Sequence, residues 1–196
     1  NFLKWEYRGN MNRITYTSIV KDDNPSLRLK SDVLNLPLQK KYIALAKRML
    51  RYVKDSRDDE KAQKYDLKPA VGLAAPQVGV NVQIIVVVVD DEDGNFIEYC
   101  LANPKIISHS VQKTALSLGE GCLSVEVEHQ GLVHRSARIK VRAFDVLANE
   151  MVEFRADGYL AVVLQHEIDH LNGVLFYDHI NLSDPWKVEE NTLIIE

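Results

Sequence analysis

The chain has 196 residues, 46% hydrophobic and 27% charged, the make-up of a soluble globular protein long enough for one domain with a sizeable core. A formal net charge of −4 argues against nucleic-acid binding as the main function, so no specific nucleic-acid site is expected. No apolar run approaches the roughly 18 to 20 residues that span a bilayer, which leaves no membrane partner. With only two cysteines, Cys100 and Cys122, the chain reads as a reduced, cytoplasmic protein in which one thiol is free to act as ligand or nucleophile.

Residues 1–10 lack a signal-peptide pattern, and Met11 reads equally as an internal or a true start. That stretch is therefore set apart as a native flexible leader or a non-native extension of a single domain covering residues 1–196. Over residues 38–54, Tyr42, Ala46, Met49, Leu50 and Val53 fall at helical spacing. Residues 55–61 are a charge run, expected to be a solvated loop or helix end. Residues 82–89 are strongly β-forming and predict a buried strand; Asp93-Gly94 is a turn signal, and residues 96–101 return as the second strand of a hairpin. Asn103-Pro104 is expected to end that strand. Residues 138–144 and 151–154 alternate with period two, joined by a hairpin connection at 145–150. Residues 159–164 are apolar and free of turn signals, which predicts a buried helix, and residues 192–195 look like a short edge strand. There is no internal repeat and no linker. The layout is α+β, with mostly antiparallel strands packed around a central helix.

That helix carries Gln165-His166-Glu167-Ile168-Asp169-His170. Residues four apart share a helix face, so His166 and His170 can reach one metal ion. Glu167 is rotated off that axis, where a base for a bound water belongs. Two histidines are too few, and a third ligand must come from elsewhere. The position that holds a third histidine in metzincin proteases is Phe176. Glu189, Glu190 and Glu196 lie in a short tail with no helix to hold them, and His179 fits no ligand spacing. Cys122, within Gly119-Glu120-Gly121-Cys122-Leu123-Ser124, is the better candidate, because the glycines let the backbone approach closely and expose the thiol. One thiolate and two imidazoles leave one open tetrahedral position. The plainer alternative is a helix whose histidines cap or pack, with a buried structural cysteine. His109, His129 and His134 read as loop histidines and Cys100 as core.

Three segments in this order, Val71-Gly72-Leu73-Ala74-Ala75-Pro76-Gln77, Glu120-Gly121-Cys122-Leu123-Ser124 and Gln165-His166-Glu167-Ile168-Asp169-His170, resemble the signature motifs of peptide deformylases. Those enzymes remove the formyl group from the N-terminal formyl-methionine of new proteins, and the resemblance implies a bacterial protein. The resemblance runs from about Ile14, through Asn24-Pro25-Ser26-Leu27-Arg28, to about Pro185. The insertion near residues 55–68 and the strand-like tail are similar to the type 2 class. It implies the peptide deformylase fold, formyl-Met nascent peptides as substrates and a transient ribosome contact. It also implies that Cys122, His166 and His170 bind ferrous iron, with nickel, cobalt or zinc able to substitute. Glu167 would be general base and then general acid. The Gln77 side chain and the Leu123 N–H would donate to the oxyanion. Val71, Gly72 and Gly121 would bond the peptide backbone as an added strand. Val71, Leu118, Tyr159, Val162 and Val163 would form the methionine pocket, the last two facing outward near His166, although as bare sequence they are more simply core residues. Glu120 and Arg135 would pair to hold the cysteine loop, and Asp169 is read as a surface residue or an orienting one. Ala70 departs from the family's usual Gly and would crowd the substrate backbone; His134 departs from a common Pro.

Two other readings use the same helix. A zincin-like metalloprotease needs a third His or Glu ligand in place of Cys122. A metal-stabilised binding module needs a fourth protein ligand, and none is visible near the motifs.

Overall fold

The computed structural model describes residues 13–196; the leader at residues 1–10 and Met11 lie outside the described residues. Helix α1 (Lys40–Ser56) and the short α2 (Asp59–Tyr65) precede strands β1 (Gly72–Ala74), β2 (Ile84–Asp90), β3 (Phe96–His109), β4 (Lys113–Leu116), β5 (Arg135–Ser136), β6 (Arg138–Asp145) and β7 (Glu150–Asp157). Helix α3 (Gly158–Leu171) follows β7 directly, and β8 (Thr192–Ile195) comes last. The main sheet has five antiparallel strands in the order β1-β2-β3-β6-β7. A smaller sheet has the order β5-β4-β8, with β8 parallel to β4.

β2 dictates the layering. Its apolar residues alternate between two faces, and a strand apolar on both must be covered on both. Ile84, Val86 and Val88 share a buried cluster with Ala46, Met49 and Val53 of α1. Ile85, Val87 and Val89 share another with Ala161, Leu164, Ile168 and Leu171 of α3. The sheet is thus sandwiched between the two helices, and the histidine-bearing helix is core on its sheet side.

The C-terminal half of α1 also fixes the approach to β1. The buried Tyr52 hydroxyl donates to Lys68 O (3.1 Å) and accepts from Lys68 N (3.2 Å). Ser56 Oγ accepts from Ala70 N at 3.1 Å. Among the described residues β1 lies at the sheet edge, paired on one side only, by β2.

One expectation holds and one is corrected. The charge run falls at a helix end, as expected: α1 stops at Ser56, and two residues later Asp58 caps α2, its side chain accepting from Lys61 N at 3.0 Å, with Asp59 and Glu60 in the first turn. α2 has no fully buried residue and packs only Ala62 and Tyr65 against the core, too short a stripe to read. Asn103-Pro104 does not end β3, which continues through it with a register shift between Ala102 and Lys105. Asn103 takes the left-handed conformation (φ 51) and its side-chain amide brackets Leu34, accepting from Leu34 N and donating to Leu34 O, both at 2.8 Å.

Asn103→Ala removes both bonds and leaves a Cβ residue at positive φ, and should destabilise the protein by about 2–3 kcal/mol in urea unfolding. Asn103→Gly should recover about 1 kcal/mol of that loss. Equal losses would remove the backbone part of the argument.

Candidate metal centre

Cys122, on the loop after β4, and His166 and His170, one turn apart on α3, bring their ligand atoms within 4.8 Å of one another. Cys122 Sγ is 3.4 Å from His170 Nε2. A tetrahedral site with metal–sulfur and metal–nitrogen bonds of usual length has an S···N edge of about 3.5 Å. The cysteine is held from its other side by Gln77. Gln77 Oε1 accepts from Ala74 N at 2.9 Å, which turns the amide nitrogen toward Cys122 Sγ (3.4 Å) and Ser124 Oγ (3.1 Å).

His166 Nδ1 bonds Glu120 Oε1 at 2.9 Å, which leaves Nε2 as the ligating nitrogen. Glu120 is gripped in turn by Arg135, Nε to Oε2 at 2.7 Å and Nη2 to Oε1 at 2.9 Å, a bidentate pair in which both side chains are almost fully buried. Burial pushes the Glu120 carboxyl up, but the bonds from His166 and Arg135 outweigh it and hold it down at about 2. Glu167 is also buried, yet its Oε2 has no hydrogen-bond partner among the described residues. Burial pushes its carboxyl up to about 7, against the pull of His166 and Arg135. The Glu167 side chain lies against the backbone of Gly72: a Cβ built there would sit 2.6 Å from Oε1. An oriented imidazole, a thiol at ligand distance and a buried carboxylate with a spare oxygen fit a divalent metal that binds and activates water.

The centre opens into a cavity of about 670 Å³. Val71, Gly72, Gln77, Glu120, Gly121 and Leu123 line it, as do Tyr159, Val162, Val163, His166 and Glu167. Leu118 does not; it is 91% exposed, turned outward just before Gly119 (φ 79), and Leu116 lines the wall instead. Val162 and Val163 do not face outward, being 2% and 5% exposed; Val163 packs in the cluster between α3 and the sheet, and both border the cavity. Ala70 lines the cavity with its N–H tied back to Ser56.

Several neighbours carry no sequence signal. Tyr16, Arg57, Lys68 and Glu126 form part of the wall, with Tyr16 OH donating to Glu126 Oε1 at 3.1 Å. Asp169 is not a free surface residue: its Oδ2 accepts from Arg135 Nη1 at 2.9 Å and meets His179 Nε2 at 2.8 Å. The Phe176 ring lies nearly parallel to that of His166, with centroids 6.1 Å apart. Glu189 bonds Lys113, and its N–H donates to His134 Nε2. His109 ends β3, whereas His129 stacks on Tyr177, and Cys100 is core as expected.

Glu120→Gln leaves the buried Arg135 without its bidentate anion and should destabilise the metal-free protein by about 3–5 kcal/mol in urea unfolding. A loss under about 1 kcal/mol would mean that the pair is screened as a surface pair is.

A family model described as polypeptide deformylase matches residues 16–186. The chain is 46% identical over 186 residues to peptide deformylase 2 of Bacillus subtilis, covering 93% of this chain and 99% of that one. Among solved structures it is similar to a probable peptide deformylase from Synechococcus phage S-SSM7, with TM-score 0.67 and 34% identity over 83% of this chain and 98% of that one. It is also similar to the Met-Ala-Ser-bound class I type b peptide deformylase of Acinetobacter baumannii, with TM-score 0.64 and 29% identity over 83% of this chain and 96% of that one. The matched span contains every segment that builds the metal centre, and the chain belongs to the peptide deformylase family.

Proposed function

We propose that this protein removes the formyl group from N-terminal formyl-methionine, giving formate and a free amine. The observation that carries the proposal is a buried Glu167 carboxyl beside the Cys122, His166 and His170 group, at the wall of a cavity bordered by an edge strand. A divalent metal held by those three residues supplies Lewis acidity and lowers the pKa of water at the site. Glu167 takes the proton from the attacking water and passes it to the leaving nitrogen as the C–N bond breaks. The Gln77 Nε2 and the Leu123 N–H donate to the oxyanion that develops on the formyl oxygen. Tying Gln77 Oε1 to Ala74 N turns its amide nitrogen toward the centre, and the hydrogen that now faces Cys122 Sγ is the one that would turn to the oxyanion.

Val71 and Gly72 border the unpaired side of β1, where a peptide can add as a further strand, with Gly121 opposite. Val71, Tyr159, Val162 and Val163 give an apolar wall for the methionine side chain. The Met-Ala-Ser ligand of the Acinetobacter baumannii relative supports that assignment. Leu118, exposed on the cavity's flank, would reach a bound peptide only as a cover. We take ferrous iron as the native metal, on the family resemblance, with nickel, cobalt or zinc as substitutes; one thiolate and two imidazoles suit all four. No described helix is long and apolar enough to cross a membrane. A cytoplasmic location and a transient ribosome contact follow from a substrate made on the ribosome.

The protease reading is set aside, because Phe176 packs on His166 and Glu189 is engaged with Lys113. A binding module would leave the buried Glu167 oxygen without a purpose.

Formate release from formyl-Met-Ala-Ser, with protein purified without oxygen, tests the function. The parent should turn over, and Glu167→Gln should keep its metal and lose about 10²–10⁴-fold or more. No release from freshly iron-loaded parent would refute deformylation. Gly72→Ala places a Cβ against Glu167 and should cut kcat by about 10²-fold at unchanged metal content. Parental kcat would show that this close approach does not set the position of the base.

A further inference from the structure

The two halves of the metal centre come from separate elements: the thiol from the loop after β4, the imidazoles from α3, with Cys122 and His170 48 residues apart in sequence. Arg135 joins them. Its Nε and Nη2 donate to Glu120 on the loop, and its Nη1 donates to Asp169 on the helix. Asp169 lies three residues after His166, so it shares that histidine's side of the helix. Glu120, the other arm of the fork, bonds His166 Nδ1 directly. Arg135 is 5% exposed, and a planar guanidinium holds both carboxylates in one fixed geometry. Asp169 Oδ2 meets a second partner, His179 Nε2 at 2.8 Å, from the turn Phe176–His179 beyond α3.

We propose that Asp169 and His179 are positioning residues for the metal ligands. Asp169 is the helix's half of a clamp whose loop half is Glu120, and His179 fixes the rotamer with which Asp169 meets Arg135. Without Asp169, Arg135 still holds Glu120, but the loop then meets the ligand face of the helix only through the Glu120–His166 bond and packing. The His170 Nδ1 is buried without a hydrogen-bond partner among the described residues, so the placing of this ring follows the placing of the helix. The inference rests on Cys122, His166 and His170 being the ligands, and not on which bond the enzyme hydrolyses.

The test is nickel release. The full chain is loaded with nickel and challenged with excess chelator, for the parent, Asp169→Asn, His179→Ala and the double variant. Cobalt-loaded samples report the ligand field and the thiolate charge-transfer band, and urea unfolding of the metal-free proteins reports the fold. Asp169→Asn should release nickel about 10- to 100-fold faster, and alter the cobalt spectrum. His179→Ala should do so by a smaller factor, and the double variant should be no worse than Asp169→Asn alone, since both act through one contact. Parental release and spectrum from folded Asp169→Asn, even with a lowered unfolding midpoint, would overturn the positioning role and leave deformylation untouched. A parent that holds no nickel would overturn the ligand assignment and this proposal together. Formate release tests the reaction separately.

Discussion

Burial of the ligand helix is the constraint on which the rest of the structure depends. α3 packs Ala161, Leu164, Ile168 and Leu171 against a strand that is apolar on both faces, so it cannot leave the sheet without exposing a core cluster. The same burial draws His170, Glu167 and part of His166 out of water. Polar groups in such a place must find partners or lower the stability of the fold. Glu120 answers for His166, and Arg135 for Glu120 and Asp169. Glu167 Oε2 is left over, and a spare buried carboxylate oxygen at a cavity wall is what a proton-transfer step requires.

The sheet contributes in a second way. β1 is short and sits at the edge, pinned from behind by Tyr52 and Ser56 of α1, so its free side faces the cavity at a fixed height relative to α3. Gly72 lets that strand touch Glu167 without a side chain between them. An exposed edge is a liability in most sheets. Here it borders the cavity that holds the centre, where an extended peptide can complete it.

Much of this was legible in the sequence where a residue's role is local. Helical spacing from Tyr42 to Val53 gave α1, the valine run gave β2, and the i, i+4 histidines gave the metal face of α3. What failed were features decided by distant partners. Asn103-Pro104 reads as a break because nothing nearby in sequence says that Leu34, 69 residues away, will satisfy the Asn amide and keep the strand going. Leu118 reads as a pocket residue, yet the turn at Gly119 sends it outward. α2 packs only Ala62 and Tyr65 on the core, and its cap at Asp58 is the clearest mark it carries. The Asp169 contacts follow no spacing rule, because Arg135 lies 34 residues away and meets Asp169 only in space.

The central claim is that one thiolate and two imidazoles share one metal. X-ray absorption at the metal edge tests it most directly, on zinc-loaded parent and Cys122→Ser protein kept free of oxygen. The account predicts one sulfur at about 2.3 Å with nitrogen or oxygen neighbours near 2.0–2.1 Å in the parent, and no sulfur in the variant. A parent spectrum with no sulfur neighbour, or a sulfur that survives in Cys122→Ser, would contradict it.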